Sequence, residues 1–391
     1  MKILVACDKF RGALTSLAAN EAIARAVREV FPKAKLDIKR IADGGEGTSH
    51  AFIEAYNGEL ITSIVENPFG KSYEAYWGWV EVEKTAIIEI SAMAGHHCLL
   101  GDALDPTCAS SYGLGQVIAQ ALDRGVKKFI IGLGGSVTID GGAGVLEALG
   151  VRFISAQGER LSHVAGTGLS QISRIDFHQM DPRLSGLEFI IAADIDSPLH
   201  GKMGAVQMFG EQKGLQRNDF EAFEQGLSHF DQCLAKALNR APLADQPGAG
   251  AAGGLYLGLS ALIGVNQSNR IQIKNGFDLL SKAYGFDERI HDSDLILTGE
   301  GAFDNQSLVG KGTGRLAKLA KQHRKPLIVF TGKIDINYID FKHSGVTAIF
   351  PIAPRPISLD DALRNASMYL NQSAYNALSV LKAGGSVFYR E

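Results

Sequence analysis

The chain has 391 residues, of which 46% are hydrophobic, and its 39 basic and 42 acidic side chains leave a formal charge of −3. This hydrophobic share excludes a largely disordered chain, and the near-neutral charge without a basic cluster argues against a nucleic-acid-binding protein. Glycine is over-represented: 45 of the 391 residues, about 11.5%, are glycine, whereas about 7% is usual. We therefore expect loops in which the backbone approaches a neighbour closely.

Cysteine spacing and the length of the apolar runs indicate the cellular compartment of the protein. Cys7, Cys98, Cys108 and Cys233 show no short paired spacing, which excludes a zinc or redox motif and is typical of a reducing compartment. The apolar run after Met1 is too short for a signal peptide, and no apolar run approaches the ~20 residues that span a bilayer. The sequence therefore predicts a cytoplasmic protein without a membrane partner, and it leaves a homo-oligomer open.

The N-terminal region alternates strand-like and helix-like segments. A short apolar run, Ile3–Ala6, predicts a buried strand, and apolar residues three and four apart predict a helix over Ser16–Phe31 that ends at Pro32. A second strand, Leu36–Ile41, precedes a glycine turn and a helix over 48–56. This order of strand, loop, helix, strand, loop and helix is typical of a doubly wound sheet.

The middle of the chain is more mixed, and the same alternation returns near the C-terminus. The segments predicted there are strands at 73–82, 86–90, 128–131, 189–192, 295–297, 327–330 and 346–352, helices at 115–123, 315–323 and 359–382, and a long glycine loop at 299–314. We therefore predict an α/β fold of two domains. Residues 1–60 and 288–391 form one discontinuous domain, and residues 61–287 form a second α/β domain inserted into it.

Five segments that are rich in glycine, in acids or in both lie at predicted strand ends or helix starts. They are Asp43–Gly47, Gly132–Gly142, Asp194–Leu199, Gly248–Gly254 and Gly299–Ser307, the last leading into Gly310–Gly314. Backbone amides in such loops bind anions, and open α/β sheets bind ligands at these strand ends. Carboxylates beside a phosphate loop are useful when a divalent cation lies between them or when an acid must accept a proton. Together the segments predict a metal-nucleotide site with a polar co-substrate, although glycine and aspartate also form ordinary turns.

The standard phosphate and nucleophile fingerprints are absent or weak. Gly310-Lys311 is followed by Gly312, so the Walker A motif is missing, and no Gly-x-Ser-x-Gly nucleophile elbow occurs. Gly248–Gly253 matches the dinucleotide pattern Gly-x-Gly-x-x-Gly, but Pro247 precedes it where a strand should stand. This match keeps one alternative open, a hydroxy-acid dehydrogenase that uses NAD(P).

Smaller features suggest how an anionic substrate is held. Lys9 and Arg11, just after the first strand, fit an anion-binding pair, although two solvated loop charges would look the same. Ser136 follows paired glycines and is a candidate for hydrogen bonding to a substrate. The run His96–Cys98 is a poor metal site, because three consecutive residues rarely converge on one ion.

Read in order, these segments resemble the bacterial glycerate kinase family, of the glycerate 2-kinase type. The resemblance covers essentially the whole chain. It departs from the family pattern at Gln116, Ser197 and Val137–Ile139, which affects substrate fit more than the acids or lysines. The motifs that carry it are Asp8–Gly12, Asp43–Thr48, Gly132–Ser136, Asp140–Gly144, Asp194–Leu199, Pro247–Gly254, Thr298–Asp304, Gln306-Ser307 and Gly310-Lys311.

The resemblance implies ATP-dependent phosphorylation of D-glycerate to 2-phosphoglycerate, and two α/β domains, one Rossmann- or flavodoxin-like, with the site in the cleft between them. On this basis we expect Mg²⁺-ATP to bind a glycine loop and a helix N-terminus, with Glu300 and Asp304 as metal ligands. The glycines expected at the cofactor are Gly44, Gly45, Gly47, Gly312 and Gly314, with Lys311 near the phosphates.

Glycerate itself is expected to bind through its carboxylate to Lys9 or Arg11 and through its hydroxyls to Ser136, beside Gly134 and Gly135. Asp194 is our first candidate for the base that accepts the proton of the attacking hydroxyl, and Asp43 is the second. The other alternative, outside the enzymes, is a protein that binds a small anion without catalysis. Such a protein has no use for carboxylates beside its glycine loops.

Overall fold

The chain divides by its internal contacts into two units. The computed structural model describes residues 1–193, 197–265, 270–310 and 312–388. The first unit consists of Met1–Asp43 and Phe277–Glu391, and the second consists of Gly44–Gly276.

Fourteen strands and fifteen α-helices lie in the described ranges. The strands are β1 (Lys2–Val5), β2 (Lys35–Ile38), β3 (Glu59–Glu66), β4 (Ser72–Val80), β5 (Thr85–Glu89), β6 (Lys128–Gly132), β7 (Arg152–Ile154), β8 (Arg160–Leu161), β9 (Arg174–Asp176), β10 (Glu188–Ala192), β11 (Arg270–Lys274), β12 (Leu295–Asp304), β13 (Leu327–Asp335) and β14 (Ala348–Pro351). The helices are α1 (Ser16–Val30), α2 (Thr48–Tyr56), α3 (Ser91–Ala94), α4 (Tyr112–Asp123), α5 (Ala143–Ala148), α6 (Ala205–Phe209), α7 (Phe220–Ala237), α8 (Ala251–Gly264), α9 (Gly276–Tyr284), α10 (Phe286–His291), α11 (Asn305–Val309), α12 (Gly312–Gln322), α13 (Tyr338–Phe341), α14 (Leu359–Arg364) and α15 (Ala366–Phe388).

The first unit is built on a parallel five-stranded sheet in the order β2-β1-β12-β13-β14. Counted within the unit, this is the 2-1-3-4-5 order of flavodoxin-like folds. Apolar strand residues such as Ile3, Val5 and Leu297 pack with the buried faces of α1 and α15 into one hydrophobic core. The predicted α/β class, with a flavodoxin-like sheet, is confirmed.

The second unit contains a mixed six-stranded sheet in the order β11-β10-β6-β5-β4-β3 and a small antiparallel sheet in the order β8-β7-β9. Strands β5, β6, β10 and β11 are parallel, whereas β3 and β4 are antiparallel additions at one edge. Phe129 and Phe189 stack on neighbouring strands with ring centroids 5.0 Å apart, inside a core separate from that of the first unit.

One predicted loop is partly a strand. We expected the chain to leave the sheet at Leu297, but β12 continues to Asp304 and the short helix α11 follows. The reason is that Ala302–Asp304 stay paired with Lys333–Asp335 of β13, and this register buries the Phe303 side chain completely. No helix within the described ranges is both long and apolar enough to cross a membrane.

Candidate active site

The carboxyl ends of β1 and β12 in the first unit bring two acidic loops together. The Asp8 amide donates to the Gly299 carbonyl at 2.9 Å, and the Thr298 hydroxyl donates to the Ala6 carbonyl at 2.5 Å. Strand order reverses between β1 and β12, and open α/β sheets bind their ligands at such a point. Asp8, just after β1, and Glu300, within the second half of β12, therefore lie at the expected ligand-binding edge.

Buried Asn20 of α1 fixes the loop ends next to these acids. Its amide oxygen accepts from the Cys7 amide at 2.8 Å, and its amide nitrogen donates to the Lys39 carbonyl at 2.8 Å. One side chain thus holds the chain just before Asp8 and a few residues before Asp43. Its loss would remove both of these hydrogen bonds from the loop ends.

Three carboxylates in the first unit interact electrostatically. Asp8 is only 7% exposed. Burial, reinforced by the negative charges of Asp43 and Glu300, raises the pKa of Asp8 to about 8, although the charge and the amide of Lys9 act in the opposite direction. The Lys9 amide donates to Asp8 Oδ1 at 2.7 Å. The carboxyl of Asp8 therefore keeps its proton at neutral pH unless a cation reaches the group.

Glu300 and Asp304, the two predicted metal ligands, share the hydroxyl of Ser307. Ser307 Oγ donates to Glu300 Oε2 at 3.1 Å and lies 3.3 Å from Asp304 Oδ1, which also accepts the Ser307 amide at 2.9 Å. Asp304 therefore caps the start of α11.

A ready-made cation site is not visible in the part of the chain that the structure describes. No three histidine, cysteine, aspartate or glutamate side chains are arranged there to hold a metal ion. Mg²⁺ commonly uses only one or two carboxylates and takes its other ligands from phosphates and water. Glu300 and Asp304 suit that smaller donor set, because both offer hard carboxylate oxygens beside one hydroxyl.

Helix α12 begins close to the same loops. A Cβ on Gly312 would lie 2.4 Å from Ile41 Cγ2, and one on Gly314 would lie 2.0 Å from the Ser307 carbonyl oxygen, so both glycines permit close packing. Between them Thr313 is fully buried, and its hydroxyl has no hydrogen-bond partner in the described ranges. Lys311, expected near the phosphates, lies outside the described residues.

A groove of about 760 Å³ lies beside α12 in the first unit. Arg315 lines it, but its guanidinium already donates to Asp278 at 2.8 Å and to the Gly310 carbonyl at 3.0 Å. Acidic Asp287 and Glu288 line the same groove. Since the guanidinium is already paired and acids stand beside it, we assign the groove no ligand.

In the second unit, two of the predicted loops and the end of β10 converge. A Cβ on Gly132 would lie 2.3 Å from the Gly44 carbonyl, and one on Gly134 would lie 2.6 Å from Gly45 Cα. Gly44 itself leaves no room for a Cβ next to the carbonyl of Ala192, at the end of β10. The backbone of Gly44 and Gly45 thus packs directly on the loop after β6 and on the last residue of β10.

Glu89 was not predicted, and it occupies the N-terminus of α2. Its buried carboxylate accepts the amides of Gly47 at 3.2 Å and Ser49 at 2.8 Å and the hydroxyl of Tyr76 at 2.6 Å. A phosphate at this helix end would have to displace an internal anion. In the structure Gly44 and Gly45 pack against neighbouring backbone and Gly47 has a φ of +93°, whereas their contact with the cofactor stays a prediction.

Lys213 was not predicted either, and it holds Ser136. The Lys213 ammonium, 6% exposed, donates to Ser136 Oγ at 2.7 Å, to the Ser136 carbonyl and to the Thr138 carbonyl at 3.2 Å. Gly135 has a φ of +82° and is exposed, whereas Ser136 is 8% exposed. The loop therefore combines a solvent-exposed glycine, Gly135, with a buried serine, Ser136, that is held by hydrogen bonds from Lys213.

Asp140, four residues further on, is structural. Its buried carboxylate accepts the amide and the hydroxyl of Ser111, both at 2.7 Å, and the amides of Gly142 and Gly144 at 3.1 and 3.3 Å. Despite these donors, burial raises the pKa of Asp140 above its usual range. The four contacts join the loop to the starts of α4 and α5.

The segment that resembled a dinucleotide fingerprint packs against this loop. The Gly253 carbonyl accepts the Gly141 amide at 3.1 Å, and a Cβ on Gly253 would lie 2.2 Å from the Thr138 carbonyl. Ala252, Gly253 and Gly254 all have positive φ. The preceding residues, 244–250, form turns, so no strand leads into the segment. Close backbone packing explains these glycines without a bound dinucleotide.

Four further predicted residues remain to be placed. Lys9 is half-buried, whereas Arg11 is exposed. Asp194, the first candidate for the base, lies outside the described residues, although Ala193 just before it is held by a 3.1 Å bond from its amide to the Lys274 carbonyl. Asp43, the second candidate, is half-buried in the first unit.

Comparisons with known proteins give one consistent result. The model of the glycerate kinase family matches residues 3–382. Glycerate kinase of Bacillus subtilis (strain 168) is 37% identical over 388 residues, 99% of this chain and 100% of that protein. Glycerate 2-kinase of Escherichia coli (strain K12) is 36% identical over 384 residues, 98% of this chain and 99% of that protein. The crystal structure of a protein assigned as glycerate kinase 2 from Salmonella typhimurium LT2 superimposes with a TM-score of 0.79 at 34% identity and covers 99% of both chains.

Proposed function

The chain belongs to the glycerate kinase family, and from that premise we propose that it transfers the terminal phosphoryl group of ATP, with Mg²⁺, to D-glycerate to form 2-phosphoglycerate. Membership makes it a phosphotransferase that uses a nucleotide phosphate donor and glycerate as its small-molecule acceptor. ATP as the donor, Mg²⁺, the D isomer and the 2-position are the proposed parts.

The observation that carries this proposal is the group of carboxylates at the strand ends of the first unit. Burial and, after it, the negative charges of Asp43 and Glu300 raise the pKa of Asp8 to about 8. Such crowding is costly without a counter-charge, and a nucleotide-bound Mg²⁺ would supply one. We assign Glu300 and Asp304 to that cation, and the start of α12 with Lys311 to the phosphates.

The acceptor side of the proposal rests on the loop after β6. We assign Ser136 to a hydroxyl or carboxylate oxygen of glycerate, beside Gly134 and the exposed backbone of Gly135. Lys9 and Arg11 keep the anion-binding role that the sequence suggests. In the reaction the attacking hydroxyl forms the new O–P bond, ADP leaves with the electrons of the old one, and Asp194 or Asp43 accepts the proton.

The experiment that tests the proposal is ³¹P NMR of the product after incubation with ATP, Mg²⁺ and D-glycerate. We expect the resonance of 2-phosphoglycerate and stoichiometric ADP. A 3-phosphoglycerate resonance would overturn the proposed position, and no transfer to glycerate would overturn the function. Absorbance at 340 nm with glycerate and NAD(P) serves as the control for a dehydrogenase and should not change.

A further inference from the structure

A buried amine beneath a candidate substrate loop needs an explanation. Lys213 ends a short turn, Glu211–Lys213, and its side chain runs inward to the segment after β6. Its three hydrogen-bond acceptors, Ser136 Oγ, the Ser136 carbonyl and the Thr138 carbonyl, are all uncharged. An ammonium group has three donor hydrogens, so the protonated amine matches these acceptors one to one.

This match fixes the direction in which Ser136 can donate. A serine hydroxyl has one hydrogen and two lone pairs. Because Ser136 Oγ accepts from the ammonium group, its own hydrogen must point away from Lys213. A hydroxyl that is forced to donate outward from a glycine loop suits an anionic or lone-pair oxygen of a small ligand.

We propose that Lys213 is a positioning residue that holds Ser136 as a hydrogen-bond donor to glycerate. The inference rests on the proposed role of Ser136 in binding the acceptor. Lys213 does not touch substrate in this account. It acts through the Ser136 hydroxyl and through the carbonyls that set the course of residues 136–138.

The charge state of the amine supplies a distinctive readout. Burial lowers the pKa of Lys213 to about 7, against the opposing field of Asp140. Helix α6 packs beside this turn and has no titratable side chain, and Glu211 of the same turn is paired with Arg217. Leu104 packs against Gly214, the residue after Lys213. The acid that follows Leu104, Asp105, already accepts the Thr107 hydroxyl at 2.5 Å.

Loss of the proton would free Ser136 to turn. A neutral amine has two donor hydrogens and one lone pair, so the Ser136 hydroxyl can then donate to Lys213 Nζ and withdraw from the ligand. The glycerate KM should therefore rise as the pH increases through the titration of the amine, while the ATP KM should not follow it.

The test compares Lys213→Met, Ser136→Ala and the double variant. Glycerate is varied at saturating Mg²⁺-ATP, and Mg²⁺-ATP is varied at saturating glycerate. We expect each single variant to raise the glycerate KM about tenfold or more, with the ATP KM within about twofold. The double variant should be no worse than Ser136→Ala, because Lys213 acts through that hydroxyl. Equal rises in both KM values, or additive losses in the double variant, would overturn the inference.

A second arm needs no change at Lys213, in case Lys213→Met does not fold. The glycerate KM is measured from pH 6 to 9 for the unmodified enzyme and for Ser136→Ala. We expect a rise above about pH 7 in the unmodified enzyme and a flat profile in the variant. Identical profiles would overturn the inference even if ³¹P NMR shows 2-phosphoglycerate, whereas absence of any product would instead remove the proposed function.

Discussion

At the scale of single residues, the least predictable feature is which polar groups meet. The sequence pointed to Asp8, Glu300 and Ser136 as parts of glycine-rich motifs, because glycine and acid spacing is visible along the chain. It did not point to Glu89 or Lys213. Glu89 meets Ser49 from 40 positions away and Lys213 meets Ser136 from 77 positions away, and such pairings exist only once the sheet has formed.

Asp8 predicts an unusual pH dependence of stability. The pKa of Asp8 is about 8 in the folded chain and 3.8 for an aspartate without these surroundings. Between these two pH values the folded state therefore keeps a proton that the unfolded state releases. The contribution of Asp8 to the free energy of unfolding should therefore fall as the pH rises from 5 to 8 and level off above that. Urea denaturation of Asp8→Asn at pH 5, 6.5 and 8 should show a smaller fall than the unmodified enzyme.

Glu29→Gln is the matched control for Asp8→Asn, because Glu29 is an exposed carboxylate of the same unit. It should leave the pH dependence unchanged. If Asp8→Asn and Glu29→Gln give the same slope as the unmodified enzyme, the crowding of Asp8 by Asp43 and Glu300 has no effect on stability.

Two aspartates compete for the role of general base, and substitution separates them. If Asp194 accepts the proton, Asp194→Asn should lower kcat by ~10²-fold or more while Asp43→Asn has a smaller effect. Steady-state kinetics at saturating ATP and glycerate, with circular dichroism to verify folding, makes the comparison. An Asp194→Asn activity within a few-fold of the unmodified enzyme would eliminate Asp194 and leave Asp43 to be tested in the same way.

At the scale of elements, strands and helices were predicted well where periodicity was strong, and less well where pairing decided the outcome. Helix α1 ends at Val30, one residue before the predicted end, and β6 and β10 lie within one residue of their predicted bounds. The last residues of β12 were missed, because glycines usually signal a loop and only the neighbouring β13 keeps them extended. Close approach of the backbone at glycines was expected, but most of the loop predicted at 299–314 forms the end of β12, helix α11 and the start of α12.

The close approach of Gly134 to the backbone of Gly45 leads us to predict that this contact is required for function. A Cβ there would lie 2.6 Å from Gly45 Cα and 2.9 Å from Gly45 N, and a backbone cannot move aside as a flexible side chain can. Gly134→Ala should cost about 1–3 kcal/mol in the free energy of unfolding and raise the glycerate KM, because the loop that bears Ser136 must shift. Thermal denaturation and steady-state kinetics measure the two effects.

Gly168→Ala provides the comparison for Gly134→Ala. Its new Cβ would meet only Val164 Cγ1 at 3.5 Å, an ordinary contact. We expect stability and both KM values close to those of the unmodified enzyme. If the two alanine variants behave alike, close backbone approach between the loops does not matter.

At the scale of the whole molecule, the described residues include two large hydrophobic cores that share no residue. One core joins β1, β12 and β13 with α1 and α15, and the other contains residues from Val65 to Leu262. The prediction of an α/β protein came from the alternation of segments, which survives in a sequence regardless of how distant parts meet. We retain as a proposal that the middle of the chain is a domain inserted between the two ends.

This proposal predicts that residues 44–276 fold without the rest of the chain, because their core draws on no residue outside that range. The isolated segment should show a cooperative thermal transition by circular dichroism, with dispersed amide resonances in NMR. A segment that gives neither would contradict the proposed inserted domain. Full-length protein treated in parallel controls for buffer and temperature.

The position of β12 has a consequence for biosynthesis. β1 has its neighbour β12 some 292 residues further along, as the bond from Thr298 to Ala6 shows. At ribosomal speeds this delay is on the order of tens of seconds, during which the apolar stretch Ile3–Val5 has emerged without the strand that will cover its edge. The newborn polypeptide is therefore more exposed to aggregation than the finished enzyme, and chaperones that shield its first strand during translation should raise its yield.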